Sequence, residues 1–279
     1  MTAAHVAGGG TSDVPDHTGV VVRPVRFTDD LDAMRSFLET LGLVAKYDAI
    51  GSGSVELVCE SGMVALRATG ARGTAGDPAG VPGQTLLSLE TDDAEAVAHR
   101  LHEAGFEDAA VHDESYARVL TVTDPLGDEV RVDEREDLYG YRRYDTSGAA
   151  PGLGVVPVRF TDDQPPYAAF LRALGLYGEP AEDFAAFAAG LHGAVGLHPV
   201  YDERLPVVEG PGASCHLTFT TSGDLELLAE RLRAAGHEEV QVSHEEWGSF
   251  LDVTDPDGQS VQVHADHQEP SRQTVTSTP

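Results

Sequence analysis

The sequence predicts an α+β protein: four βαβββ modules in two tandem halves, forming curved mixed sheets. Three observations lead there. The hexapeptide VRFTDD occurs at Val25–Asp30 and again at Val158–Asp163. A second anchor, VTDP, occurs at Val122–Pro125 and Val253–Pro256, each followed one residue later by a glycine, Gly127 and Gly258. Between these anchors the same order of strand, amphipathic helix and three strands is met twice in each half. Self-similarity on that scale indicates a duplicated domain. A chain of 279 residues is also long enough for two domains that each bury a core.

The elements follow in order. VVVRPVRF is rich in β-branched residues and reads as a strand. Asp29 or Asp30 then caps a helix, because a short carboxylate accepts from the unpaired amides of the first turn. Leu31, Met34, Phe37, Leu38 and Leu41 recur at helical spacing, giving one apolar stripe. Gly42 supplies the conformational freedom that a helix C-terminus needs. YDAIG, VELVCES and MVALRAT read as three strands, and the Pro/Gly-rich GARGTAGDPAGVPG interrupts the pattern. The second module runs through TLLSLET, the helix DDAEAVAHRLHEAG, and strands around AAVHDE, ARVLTVTD and DEVRVDE. The second half repeats the scheme, with Pro165 and Pro166 in the first turn of its opening helix, where proline is tolerated. The boundaries expected are a flexible leader over 1–17, a first domain over 18–137, a linker over 138–152, a second domain over 153–266 and a disordered polar tail over 267–279.

Composition narrows the function. Hydrophobic residues make up 41%, while 18 Lys+Arg against 47 Asp+Glu give a net charge of −29. A field of that sign repels phosphate backbones, so nucleic acid is not expected as a partner. The simplest reading is an acidic, solubilising surface; converging acids would favour a cationic ligand. Two cysteines, Cys59 and Cys215, cannot build a disulfide framework. No apolar run approaches the ~20 residues of a membrane span, and the N-terminus lacks the basic start of a secretion signal. A cytoplasmic location and no membrane partner are expected. There is neither a GxxxxGK phosphate loop nor a GxSxG nucleophile elbow. His99 and His102 fall on a helix and read as an exposed face; Cys59 alternates with apolar neighbours and reads as a core thiol.

The module order, the helix endings FLETLGL and FLRALGL, and the DPLG and DPDG turns resemble the vicinal oxygen chelate superfamily. That group contains glyoxalase I, extradiol dioxygenases, and fosfomycin- and bleomycin-resistance proteins. The resemblance implies a cup formed by paired modules, with metal ligands on each opening strand and four residues after the glycine of the DPxG turn. In the first half those positions hold Val22, Thr85 or Leu86, and Arg131; apolar side chains cannot coordinate and a guanidinium repels a cation, so no metal is expected there. In the second half Val155 again donates nothing, but His216 and Gln262 occupy ligand positions. His198 ends a nearby strand, and His264 shares the face of Gln262.

WG ahead of DPDG is similar to the bleomycin-resistance branch, which implies binding without chemistry. Trp247 would offer a flat face for stacking or cation–π contact. Its counterpart is Tyr116, and each follows acidic residues, Asp113 and Glu114 or Glu245 and Glu246. The leading reading is therefore a small-molecule-binding protein without a metal cofactor, a monomer or homodimer that sequesters a cationic or aromatic ligand. Its site residues are Trp247, His216, Gln262 and His198 in the second cup, and Tyr116, Arg67 and Arg131 in the first. The alternative is a lyase or oxidoreductase of the glyoxalase or extradiol-dioxygenase type. In that case a single degenerate site formed by His216, Gln262 and His198 would hold Zn²⁺, Ni²⁺ or Fe²⁺.

Overall fold

The computed structural model describes residues 19–49, 53–70, 80–114, 117–135, 141–200 and 215–266. Each half opens on a strand that proline cuts in two. β1 (Val20–Val22) and β2 (Val25–Thr28) flank Arg23-Pro24; β12 (Leu153–Val155) and β13 (Val158–Phe160) flank Val156-Pro157. Proline has no amide to give a sheet ladder, so the chain leaves one sheet there and enters another.

In the first half the helices are α1 (Leu31–Leu41) and α2 (Ala94–Glu103). The other strands are β3 (Val44–Ala49), β4 (Ser54–Val58), β5 (Met63–Ala68), β6 (Thr85–Leu86), β7 (Ser88–Thr91), β8 (Ala110–Asp113), β9 (Arg118–Thr123), β10 (Glu129–Glu134) and β11 (Tyr141–Arg143). One sheet runs β1-β7-β10-β9-β8, the next β11-β3-β4-β5-β2-β6. β11 falls in the stretch expected as a linker; it pairs with β3 and extends the sheet. The second half has α3 (Gln164–Leu174), β14 (Ala185–Ala188), β15 (Ala194–His198), β16 (Thr218–Thr221), α4 (Leu225–Ala234), β17 (Val240–Glu245), β18 (Gly248–Thr254) and β19 (Ser260–Ala265). Its sheets run β12-β16-β19-β18-β17 and β13-β15-β14. None of the described helices is long and apolar enough to cross a membrane.

Sheets pair within a half, whereas the helix-covered cores join the halves. One core combines α2 residues Val97 and Leu101 with α3 residues Phe170 and Leu171; the other combines Phe37 and Leu38 of α1 with Leu228 and Leu232 of α4. Val22 and Val155 sit at this junction rather than in the cups. A β-carbon on Gly193 would come 2.9 Å from Val22, and one on Gly62 would come 3.1 Å from Val155. The backbone is joined there too, with Val22 N donating to His192 O and Val155 N to Ser61 O.

The two repeated motifs meet across this junction. Arg26 of the first VRFTDD pairs with Asp255 of the second VTDP, and Arg159 of the second VRFTDD pairs with Asp124 of the first VTDP at 3.1 Å. Each aspartate has one oxygen free for this because the other organises its own turn: Asp124 Oδ1 accepts from Leu126 and Asp128 amides, and Asp255 Oδ1 from Asp257 and Gln259 amides. Burial lowers Arg26 and raises Asp255, so each charge survives by neutralising the other.

The acids that follow differ between halves. Asp30 caps α1 through Ala33 N at 3.0 Å, but Asp163 makes no side-chain cap on α3. The second and third residues of α3 are Pro165 and Pro166, which have no amide to donate.

Candidate functional site

The second cup is lined by sheet faces turned away from the helices. Along β16, β18 and β19, Phe219, Leu251, Val253, Val261 and Val263 enter the core, so strand alternation turns Thr218, Thr220, Phe250, Asp252, Ser260, Gln262 and His264 into the cup. The register of β13 and β15 likewise places Val158 beside Gly196 and Phe160 beside His198. His216 joins the two sheets by a reciprocal backbone pair with Val158, both hydrogen bonds at 2.9 Å.

Aromatic rings line both walls. Trp247, 40% exposed, stacks on Phe250 at 5.3 Å and 13°, and Phe250 stacks on His264 at 5.5 Å and 23°. Opposite, the His198 ring lies 5.6 Å from Phe160 and 6.5 Å from Phe184. A β-carbon at Gly196 would come 2.7 Å from the Phe184 ring, so glycine there makes room for the aromatic.

The polar side chains of this wall are imidazoles, hydroxyls, an amide and one carboxylate. Burial lowers the pKa of His216, and burial together with nearby His216 pulls His264 down to about 4. His216 Nε2 donates to the Ser260 carbonyl at 2.9 Å, and its Nδ1 accepts from the Thr218 hydroxyl at 3.2 Å. His264 Nε2 donates to Gln262 Oε1 at 3.2 Å, and Gln262 Nε2 donates to Asp252 Oδ2 at 3.2 Å. Ser260 Oγ donates to the same oxygen at 2.8 Å.

These bonds decide how well the expected metal ligands suit a cation. Gln262 uses its oxygen on His264, and both nitrogens of His216 are engaged. His198 Nδ1 donates to the Pro199 carbonyl at 2.6 Å on the opposite sheet. Among the described residues no group of three His, Cys, Asp or Glu is placed to hold a metal ion. As arranged, His216, Gln262 and His198 do not fit one.

The first cup has matched positions with different contents. Arg23 lies between Glu56, at 2.5 Å, and Asp133, with Glu90 alongside. Burial works against the Arg23 charge, and Asp133, Glu56 and Glu90 more than offset it, so its pKa is raised. Burial raises Glu90, against the pull of Arg23. Strand registers align Arg23 with Val156, Glu56 with Ala186, Glu90 with Thr220 and Asp133 with His264. These four charged residues thus have counterparts in the second cup that carry no such charge. Below them Val25, Phe27, Ala65 and Leu86 form an apolar floor, and Gly80 lies so close to the Phe27 ring that a β-carbon would overlap it. Arg67 faces this cup at the register of Phe27, and Arg131 faces it between Ser88 and Thr121. Tyr116 lies outside the described residues. Sequence reasoning missed Phe250, Asp252 and the Arg23 cluster; the alternation of FLDVT across the sheet was the available signal for the first two.

No protein-family model matches the sequence, and no curated protein is significantly similar to it. Solved structures are similar in fold. A catechol 2,3-dioxygenase superposes with a TM-score of 0.58 at 16% identity, covering 91% of this chain and 90% of its own. Homoprotocatechuate 2,3-dioxygenase from Arthrobacter globiformis gives 0.56 at 18%, covering 91% and 82%. The Mn(II)-bound glyoxalase from Novosphingobium aromaticivorans gives 0.54 at 15%, covering 90% and 83%. The chain adopts the vicinal oxygen chelate fold. Identities this low establish the vicinal oxygen chelate architecture alone, and a fold hosts many activities. Function therefore rests on what the cups contain.

The two thiols add no chemistry to them. Cys59 is a buried core residue and Cys215 packs at the junction; burial pushes both up to about 12, far from thiolate reactivity. His102 donates to the Ala109 carbonyl at 2.8 Å on the helix side, away from either cup.

Proposed function

We propose that the chain binds a small planar molecule in its second cup without a metal and without transforming it, which amounts to sequestration. The observation that carries this is the Trp247–Phe250–His264 stack, a flat aromatic wall beside a few oriented polar groups. Trp247 supplies the stacking face, and cation–π attraction there also admits a cationic ring. His216 and Gln262 fix the polar floor, and His198 with Phe160 and Phe184 forms the facing wall. Arg67 and Arg131 place positive charge in the first cup, which argues against a cationic ligand in that half. The chain has one tryptophan, so its emission reports on this wall alone. Saturable quenching by a planar aromatic panel, abolished in Phe250→Ala, is the expected result. An unresponsive signal across the panel would remove the reading.

The likeness to dioxygenases and to a Mn(II)-bound glyoxalase favours a second reading, an enzyme with one degenerate metal site for which His216, Gln262 and His198 would have to leave their present hydrogen-bond partners. Metal analysis of protein purified without chelator separates the two. Stoichiometric metal that disappears in His216→Ala would replace sequestration with catalysis.

A further inference from the structure

We infer that the second cup selects a planar nitrogen heteroaromatic carrying N–H donors on one edge, read by His264 Nδ1 and Asp252 Oδ1. This rests on the second cup being the binding site.

Asp252 sets the direction of the hydrogen bonds. A carboxylate offers only acceptors, so the group that Gln262 turns toward Asp252 Oδ2 has to be its amide nitrogen. That orientation points Gln262 Oε1 at His264, which must then donate from Nε2. A neutral imidazole protonated on Nε2 keeps its lone pair on Nδ1. The carboxylate thus sets a tautomer two links away, and Ser260 Oγ holds the start of the chain by donating to the same Asp252 oxygen at 2.8 Å.

The relay spends one side of each end group and leaves the other. Among the described residues Asp252 Oδ1 and His264 Nδ1 have no hydrogen-bond partner, so each keeps a lone pair that a ligand can use. Both ends are acceptors. His264 belongs to the same aromatic wall as Trp247, their rings 6.0 Å apart. A ring lying on that wall therefore meets acceptors at its edge, and the complement is a pair of donors: a ring N–H, or an exocyclic amine. A ligand lacking them leaves two acceptors desolvated without partners, the costly side of hydrogen bonding. The first cup cannot do this, because Thr121, Arg131 and Asp133 stand where Asp252, Gln262 and His264 do.

The test is calorimetric titration of the full chain with 2-aminoquinoline, quinoline and N,N-dimethyl-2-aminoquinoline. The expected result is binding of 2-aminoquinoline about tenfold or more tighter than either analogue. That preference should fall to within about twofold in His264→Phe, which keeps the stack and removes the lone pair. Nitrogen-15 NMR of the unliganded protein gives an independent reading: His264 should be protonated on Nε2 in the wild type and lose that bias in Gln262→Leu. Equal affinity for all three probes would overturn this inference while the binding reading stands. So would a preference that survives in His264→Phe, or a wild-type His264 protonated on Nδ1. Absence of binding by all three would overturn both.

Discussion

In the first cup Arg23, Glu56, Glu90 and Asp133 bring four ionisable groups together over a floor closed by Gly80 and Phe27. In the second, Val156, Ala186, Thr220 and His264 hold the same places, and the wall is aromatic and uncharged apart from Asp252. One scaffold has been used twice, once for three acids gathered around Arg23 and once for an aromatic wall with few charges. A duplicated cup is therefore not two copies of a site. The first cup commits Glu56 and Asp133 to Arg23, whereas in the second cup the polar groups Gln262 and His264 are held by hydrogen bonds to one another and to Asp252.

The contrast between the cups is largest at Arg23. Replacing it by leucine removes the partner of Glu56 and Asp133, leaves Glu90 to Arg135, and should cost about 3–5 kcal/mol in denaturant unfolding. The matched Val156→Leu adds one methylene and introduces no unpaired charge, so it should cost about 1 kcal/mol, the low end for an added methylene. A similar loss for the two variants would mean that the first cup is not held by its ion cluster.

The second cup should show itself in pH dependence. The folded pKa of His264, about 4, lies below the ordinary 6.5, so between those values the unfolded chain binds the extra proton. The stabilisation is complete above pH 6.5 and is lost as pH falls toward 4, by roughly 3 kcal/mol for His264. His216 shifts in the same direction and adds to the loss. His264→Phe should remove the His264 share, measured as a flatter stability curve over that window. An unchanged curve would contradict a buried neutral imidazole.

The smallest effect separates the opening helices of the two halves. Asp30→Ala removes a working cap and should cost about 1 kcal/mol, while Asp163→Ala faces Pro165 and Pro166 and should change stability by less than about 0.5 kcal/mol. Paired thermal melts decide it; equal losses would contradict the role given to the prolines.

Much of the architecture was legible in the sequence because periodicity and repetition report local structure. Module order, the helix stripe of α1 and the Gly42 cap follow from spacing alone. The meaning of the repeats was not. VRFTDD and VTDP are preserved together because Arg26 and Asp255, and Arg159 and Asp124, meet across the halves, and such pairing leaves no trace in local spacing. Val22 and Val155 match ligand positions when the opening strands are taken as continuous, yet Pro24 and Pro157 divide those strands and the valines face the junction. His216, Gln262 and Trp247 were visible through their motifs. Asp252 and Phe250 needed the sheet, since their roles come from neighbours on other strands.

The proposed binding of a planar ligand against Trp247, with no metal involved, would set the second cup apart from the first. It can be followed at the single indole N–H cross-peak in nitrogen–proton correlation spectra, titrating with 2-aminoquinoline in the presence and absence of a chelator. One saturable shift, identical in both conditions, is expected. A cross-peak that never moves, or a shift that vanishes when the chelator is present, would contradict metal-free binding in this cup.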